Sequence, residues 1–428
     1  MANGNAPRAR LGEDGAWLAG LCAARVGFAT IFMTYAATLP LLQADWEMTA
    51  SQAGLIHSAF HIGYLTSLFS VGFLADRYGA KRVFLASSIA ASVSAFAFAV
   101  FAHDFVTGFF LYGATALFSG GSYTPVLTLI AQRFDANQRG RAIGFYIAAA
   151  QMGYGASLLL SGLMIGVGGW RSAFYVTGAG PLLGTVLAFW AMRKSPNVIP
   201  PPPPPEAQAQ GRARSLLANR GAVLIVLGYT FHSWELLGMR AWLPAFLAVA
   251  MLTATGDTVR AAGLGAALSA GMFMVSMGAN ILAGGLSDKL GRTNVILAMA
   301  VASLACSFSI GWLVGAPIWL VIALGAIYHF TGVGDSPVLS TALTELVEPR
   351  YLGAAYSVRS VLGFGAGAIS PWVFGIVLDI TQGGASGASM TAWGMAFVSL
   401  GLGGLPGPLG ALWLRRLPDA RKLAGGKG

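Results

Sequence analysis

Long apolar runs recur along the chain, and short polar or Pro/Gly-containing breaks separate them. A helix needs about 20 mostly apolar residues to cross the hydrocarbon core of a bilayer. Twelve runs approach or exceed that length, and they cover residues 17–43, 52–74, 82–102, 106–132, 141–165, 171–193, 221–249, 262–286, 293–314, 317–345, 353–378 and 389–415. The pattern therefore predicts an all-α membrane protein with twelve transmembrane helices, numbered here as spans 1 to 12.

Composition agrees with a bilayer environment, because 56% of the 428 residues are hydrophobic and 10% are charged. A water-soluble domain of this size could not bury so much apolar surface. The chain begins with a polar segment and shows no short apolar stretch before a small-residue cleavage site, so we expect span 1 to remain as an anchor. Cys22 and Cys306 both fall in predicted spans, where we expect apolar packing and no disulfide.

Positive charge is concentrated in the termini and in the loops that follow even-numbered spans, within a net charge of +10. The positive-inside rule assigns such segments to the cytoplasm, so both termini should be cytoplasmic. Basic loops beside an anionic inner leaflet explain this charge without a nucleic-acid partner. Arginine outnumbers lysine, and alanine and glycine abound, as is typical of a GC-rich bacterial genome. We therefore expect a multi-pass protein of a bacterial inner membrane.

A charged sequence occurs twice, 212 positions apart: Gly72–Arg82 follows span 2, and Gly284–Asn294 follows span 8. The same offset aligns Gly120–Thr128 in span 4 with Gly332–Ser340 in span 10. A third match at this offset lies in spans 5 and 11. Repetition of this kind predicts two pseudo-symmetric six-helix bundles with a binding site between them.

Two features refine this duplicated architecture. Pro125 and Pro337 occupy equivalent positions in spans 4 and 10, and each should break its span near a cavity at the same depth. Between the halves, six consecutive prolines from Pro200 to Pro205 predict an extended spacer. We accordingly divide the chain into residues 1–193, a cytoplasmic linker at 194–220, and residues 221–428.

The chain resembles the major facilitator superfamily over essentially its whole length. Gly72–Arg82 is similar to that family's G-x-L-A-D-R-x-G-x-K-R loop between helices 2 and 3, and Gly284–Arg292 resembles the looser second copy. The resemblance implies a two-domain, alternating-access carrier whose halves rock around a central site. It also implies a cytoplasmic gate formed by Gly72, Asp76, Arg77, Gly79, Lys81, Arg82, Asp288 and Arg292.

The gate assignment has a physical basis in the charges around Asp76. This acid is close in sequence to Arg77, Lys81 and Arg82, and we expect it to lie near Arg133 of the next inner loop. Charge-assisted hydrogen bonds contribute about 1.5–3 kcal/mol, which suits a contact that must also open. One departure from the family concerns helix 5, where proton-antiporting drug exporters tend to carry Gly-Pro and this chain has Gln151–Gly155 without proline.

Ionisable residues inside spans are costly and usually face a cavity or a partner. This chain has ten of them, namely Arg25, His57, His61, His232, Glu235, Arg240, His329, Asp335, Glu345 and Arg359. Arg25 lies in span 1 and Arg359 in span 11, so each half offers a guanidinium fork that fits a carboxylate. Alternatively, either arginine could bind neighbouring carbonyls or extend to the membrane surface.

The remaining polar residues suggest a substrate site and a proton pathway. His232 and Glu235 share one face of span 7, and Asp335 is the counterpart of Tyr123 under the 212-residue offset. Histidine and buried carboxylates are suitable proton carriers. We predict substrate binding by Arg25, Arg359, Tyr123, Tyr35, His61 and Trp234, and proton coupling by Asp335, Glu235 and His232.

These observations favour a monomeric, proton-linked carrier of a small organic anion, embedded in the lipid bilayer and needing no cofactor or metal. No nucleotide-binding loop, zinc-protease motif or nucleophile elbow occurs in the sequence, so we do not expect an enzyme. Three alternatives remain open. They are a proton-antiporting exporter of amphipathic compounds that binds through the acids, a transition-metal carrier that uses the histidines, and a non-transporting sensor that docks through its prolines.

Overall fold

The computed structural model describes residues 11–199, 219–348, 351–382 and 389–427. Helices and short turns account for these four ranges, and no β-strand occurs within them. The proline run of the predicted linker lies outside the described residues, so its extended conformation stays a prediction.

The first half contains seven helices that correspond to spans 1 to 6. They are α1 (Leu11–Ala29) and α2 (Thr34–Asp45) in span 1, α3 (Ala50–Tyr78) in span 2, α4 (Ala80–Phe101) in span 3, α5 (Phe105–Ser119) and α6 (Thr124–Arg133) in span 4, and α7 (Ala136–Ala191) in spans 5 and 6. Gly168 and Gly169 leave helical geometry inside α7, and Gly169 has a φ of 68°. This break separates the two spans that α7 contains.

The second half repeats the arrangement with seven more helices. They are α8 (Arg220–Thr255) in span 7, α9 (Thr258–Leu290) in span 8, α10 (Arg292–Ile310) in span 9, α11 (Ile318–Leu346) in span 10, α12 (Leu352–Gln382) in span 11, and α13 (Met390–Gly404) and α14 (Pro406–Leu414) in span 12. Ten helical stretches in the described part of the chain are long and apolar enough to cross a membrane. The predicted all-α membrane architecture is confirmed.

The duplicated sequence adopts duplicated geometry at its two tight turns. Gly79 joins α3 to α4 with a φ of 87° and a ψ of 142°, and Gly291 joins α9 to α10 with a φ of 94° and a ψ of 148°. Glycine adopts positive φ without the steric cost that other residues meet. The 212-residue offset read from the sequence therefore corresponds to a structural repeat.

Spans 4 and 10 differ from each other, which corrects the prediction of matching breaks. In span 4 a short 3-10 turn at Gly120–Ser122 interrupts the α-helix just before Pro125. Span 10 continues as one helix, α11, through Pro337. A proline removes only one backbone donor, and a membrane helix tolerates that loss where neighbouring groups compensate for it.

Within the described residues, the two halves meet closely at one end of the molecule. A Cβ atom on Gly54 of α3 would lie 2.2 Å from the carbonyl oxygen of Pro371 in α12, and Gly375 faces Ala50 equally closely. At the other end of α3, Gly72 has no neighbour within 4 Å of such an atom. The molecule is therefore closed at the loops between spans 1 and 2 and between spans 11 and 12, and open on the side of the charged repeats.

Candidate functional site

Arg25 extends from α1 to the break in span 4. Its guanidinium donates to Ser122 Oγ at 2.6 Å and to the Ser122 carbonyl oxygen at 3.2 Å, and the Tyr146 hydroxyl donates to the same carbonyl at 2.5 Å. The group also lies 5.8 Å from the Tyr123 ring centroid. Arg25 is 2% exposed, and its Nε has no hydrogen-bond partner. It therefore binds a neighbouring carbonyl, as in the alternative interpretation of the sequence, and keeps one donor free.

Arg359 extends from α12 towards span 10 and also has only neutral partners. One guanidinium nitrogen donates to Ser340 Oγ at 2.6 Å. The group lies over the rings of Tyr229 at 4.1 Å and Tyr356 at 4.6 Å. Its Nε is buried and has no partner. The half-buried Arg359 thus mirrors Arg25 in having a hydroxyl partner and a free donor.

Arg240 of α8 is a third arginine in the same region, and no role for it was predicted from the sequence. Its guanidinium lies 4.9 Å from the Phe273 ring centroid, and its buried Nε has no hydrogen-bond partner. The internal repeat of the sequence nevertheless points to the position of Arg240. The 212-residue offset places the counterpart of Arg25 at Leu237, about one helical turn before Arg240.

None of these three arginines forms a salt bridge with a carboxylate in the described ranges. The buried acids nearby have other partners: Asp335 contacts His232, and Glu235 accepts a hydrogen bond from Ser303. An unpaired cation at membrane depth is costly unless a bound anion or a water-filled cavity compensates for it. The arrangement is therefore suited to an anionic ligand.

Aromatic side chains connect the arginines across the two halves. Tyr64 of α3 lies 5.4 Å from Phe364 of α12, and Tyr154 of α7 lies 6.3 Å from Phe273 of α9, as ring-centroid distances. Tyr154 lies near both Arg25 and Arg240. Tyr123 lies near Arg25, whose guanidinium is 5.8 Å from its ring centroid, and near Arg359. The three arginines therefore surround one central region, here called the central site.

The three predicted proton-coupling residues come together in a cavity within the second half. His232 Nδ1 lies 2.8 Å from Asp335 Oδ1, an ion-pair distance without hydrogen-bond alignment, and both side chains are almost fully buried. Glu235 Oε1 accepts from Ser303 Oγ at 2.8 Å. Gly404 of span 12 completes the wall of this cavity, which has room for water. We refer to these groups as the acid cluster.

His61, Tyr35 and Trp234 take up different positions. His61 lies 5.4 Å from the His57 ring, is near Arg240, and has an unpartnered Nε2. Tyr35 is fully buried within the first half, where its hydroxyl donates to the Ala53 carbonyl oxygen at 3.0 Å.

Trp234 packs against Gly403 in span 12. Tyr35 and Trp234 therefore take part in helix packing, and no hydrogen bond or ring contact in the described ranges joins either of them to the three arginines. Substrate binding by the six residues named from the sequence stays a prediction.

The first gate repeat is open in this structure. Asp76 is exposed and forms no ion pair with another residue in the described ranges. Arg133, which we expected near it, pairs instead with Asp14, with Nε 2.6 Å from Oδ1. Lys81 Nζ donates to the Met192 carbonyl oxygen at 2.7 Å. The expected contact between Asp76 and the basic residues remains a prediction for a state that is closed at this end.

The second gate repeat is held by a network of charged groups. Arg292 lies 2.5 Å from Asp288 and 2.8 Å from Glu345, measured between nitrogen and oxygen. Glu345 Oε2 also accepts from the Ala424 amide at 3.0 Å. The C-terminal segment is thereby attached to this loop.

The geometry for a transition-metal site is not observed in the described part of the chain. No group of three His, Cys, Asp or Glu side chains there is placed to hold a metal ion. The histidines of the central site lie beside Arg240, whose charge opposes a cation.

The chain is similar in sequence to several known transport proteins. The sequence profile of the Major Facilitator Superfamily matches residues 21–371. A probable sulfoacetate transporter of Cupriavidus necator is 26% identical over 80% of this chain and 82% of its own length. The hexuronate transporter of Bacillus subtilis is 24% identical over 84% and 87%. The cis,cis-muconate transport protein of Acinetobacter baylyi is 22% identical over 85% and 87%.

Solved structures show the same fold. A bacterial homologue of the human lysosomal transporter Spinster, in an inward-facing and unoccupied conformation, superposes with a TM-score of 0.76 at 17% identity, covering 97% of this chain and 98% of that one. A D-xylose–proton symporter gives a TM-score of 0.73, also at 17% identity, with 97% and 99% coverage.

The profile, these relatives and these structures are all of transporters and not of enzymes. The bacterial relatives and the many membrane helices indicate a multi-pass protein of a bacterial inner membrane. The chain belongs to the major facilitator superfamily.

Proposed function

We propose that this transporter carries a small organic anion, which Arg25 and Arg359 bind from opposite halves. The observation that carries the proposal concerns the partners of these guanidinium groups, which are hydroxyl, carbonyl and aromatic groups and include no carboxylate among the described residues. A carboxylate would supply the missing countercharge and accept from the free Nε donors. Ligand binding then relieves an electrostatic cost that the unliganded cavity retains.

The relatives support the same class of cargo. Sulfoacetate, hexuronate and cis,cis-muconate, which appear in the names of three relatives, are all organic anions. Identities near 25% do not transfer one particular substrate, but they agree with the charge of the central site. The second candidate, an exporter of cationic compounds, would need free acids, whereas Asp335 and Glu235 already contact His232 and Ser303.

Alternating access follows from the one-sided closure of the two halves. With the predicted cytoplasmic termini, the open end faces the cytoplasm and the closed end faces outwards. An anion held by both halves draws Arg25 and Arg359 towards each other and favours closure of the open end. Re-formation of the Asp76 contacts would then stabilise the outward-facing state.

Proton coupling is the role that we propose for the acid cluster. The ion pair between His232 and Asp335 forms only when the imidazole carries a proton. Loss of that proton leaves the buried Asp335 carboxylate without a countercharge. Spans 7 and 10, which supply these residues, belong to the half that moves relative to span 1. A proton gained on one side of the membrane and lost on the other can therefore drive the conformational cycle.

Transport by purified protein in liposomes tests this proposal. We expect radiolabelled carboxylates to accumulate under an imposed pH gradient, and we expect Arg25→Gln and Arg359→Gln each to reduce uptake by about tenfold or more. Arg171→Gln is the matched control, because Arg171 lies outside the central site, is half exposed and is 4.0 Å from Asp45. Unchanged uptake in both arginine variants, or accumulation of amines in place of acids, would refute the proposal.

A further inference from the structure

Several buried nitrogen atoms at the interface between the halves have no hydrogen-bond partner. They are both ring nitrogens of His329, Nε2 of His61 and Nε of Arg240. His329 is 1% exposed and His61 is 8% exposed. Buried polar groups in folded proteins nearly always have partners, so a cluster of unpartnered nitrogen atoms indicates a ligand position.

Two of these groups lie around one aromatic ring. The His329 ring centroid is 4.2 Å from that of Phe273, and the Arg240 guanidinium is 4.9 Å from the same ring. His61 lies near Arg240, beside the His57 ring at a centroid distance of 5.4 Å. His61 belongs to α3 of the first half, whereas Arg240 and His329 belong to α8 and α11 of the second. The cluster therefore bridges the two halves.

This cluster is distinct from the position of Arg25 and Arg359. Those two arginines each donate to a serine, Ser122 or Ser340, whereas Arg240 has no hydrogen bond to any residue in the described ranges. Both positions nevertheless belong to the central site, because Tyr154 lies near Arg25 and also packs against Phe273, the ring over which Arg240 lies. A cargo in this site can reach both.

We propose that Arg240, His61 and His329 form a second anion-binding position, so that the cargo carries two acidic groups. This inference rests on the proposed function. One acidic group binds at Arg25 and Arg359, and the second accepts hydrogen bonds from Arg240 and the two imidazoles. A monoanion would leave Arg240 without a countercharge, whereas a dianion supplies one at each position.

Pairs of acids with equal carbon number test the second position. We would measure the binding of succinate and butyrate, and of glutarate and valerate, to the full-length detergent-solubilised protein. In the wild type we expect the dicarboxylate of each pair to bind at least about tenfold more tightly. Arg240→Gln should remove most of this preference by weakening the binding of the dicarboxylates. Arg171→Gln should leave both affinities unchanged.

A second variant tests the same position independently, in case Arg240→Gln does not fold. His329→Gln changes the same cluster without removing charge, and it should also reduce the preference for dicarboxylates; size-exclusion chromatography reports whether each variant is folded. Equal binding of both acids by the wild type, or a full preference retained in folded Arg240→Gln and His329→Gln, would overturn the second position but leave anion binding intact. If no acid in either series binds, the proposed function fails as well.

Discussion

Asp379 provides the only hydrogen bonds between the two halves that occur among the described residues, and its removal should change the conformational equilibrium. Its Oδ1 accepts from the Ala50 amide and its Oδ2 from the Ser51 amide, both at 2.8 Å. These amides belong to the first turn of α3, where helix donors have no partner within the helix. Thr49 caps the same turn from within its own half by accepting from Gln52. Opening of this end must therefore break the two bonds of Asp379 and leave those of Thr49.

The expected magnitude follows from this geometry. Loss of a side-chain cap at a helix N-terminus costs about 0.5–2 kcal/mol, and a carboxylate there adds about 0.3–1 kcal/mol from the helix dipole. Asp379 is exposed, so solvent screening reduces the second contribution. We expect Asp379→Ala to destabilise the closed end by about 1–2 kcal/mol, which changes the ratio of closed to open molecules by about 5–30-fold.

Distance measurements between spin labels test this shift directly. Labels at His103 and Ala254, which are exposed on opposite halves at the closed end, would be placed in a variant without Cys22 and Cys306. The wild type should give mainly the short distance, and Asp379→Ala should populate a longer one. Thr49→Ala is the control, because it weakens the same helix end without affecting a contact between halves. Identical distance distributions in wild type and Asp379→Ala would refute the reasoning.

Three further predictions concern coupling, closure and the C-terminal segment. Asp335→Asn should abolish accumulation driven by a pH gradient yet retain exchange of labelled for unlabelled substrate, and loss of both activities in a folded variant would contradict a coupling role. Gly375→Val should prevent close approach to Ala50, so uptake should fall by about tenfold or more in liposomes, whereas uptake at the wild-type rate would contradict the tight contact. Glu345→Ala removes the acceptor of the Ala424 amide, and we expect faster proteolysis of the C-terminal segment, with an unchanged rate as the contrary result.

The sequence was sufficient to predict the helices and the repeat because those features depend on local composition. Apolar length determines what can cross a bilayer, and the observed helices match the predicted spans. The equivalent turns at Gly79 and Gly291 need only a residue that accepts positive φ. The acid cluster could also be predicted, since His232 and Glu235 share a helix face and the offset singles out Asp335.

The remaining features depend on contacts between distant segments. Span 4 is interrupted at Gly120–Ser122, where the Ser122 carbonyl accepts from Arg25 and Tyr146. Span 10 stays helical through Pro337, although Tyr356 donates to its Ser340 carbonyl in a similar way. Arg240 packs against Phe273 of another helix, and no local sequence pattern predicts this contact.

Contacts between distant segments also determine which aromatic residues face a cavity. Tyr35 was expected to bind substrate, but its side chain points into the packed interior of the first half. The face of a helix that meets a cavity depends on helix packing, and in a uniformly apolar span the sequence gives little indication of it.

The central claim is that the cargo is an acid bound by arginines of both halves. Its most direct test is exchange from liposomes preloaded with a labelled dicarboxylate, with unlabelled acids, their neutral amides and cationic amines compared as external solutes. The account predicts that only the acids accelerate release, and that Arg25→Gln and Arg359→Gln abolish this effect while Arg171→Gln does not. Release stimulated by amines or amides, or by acids equally well in both arginine variants, would contradict it.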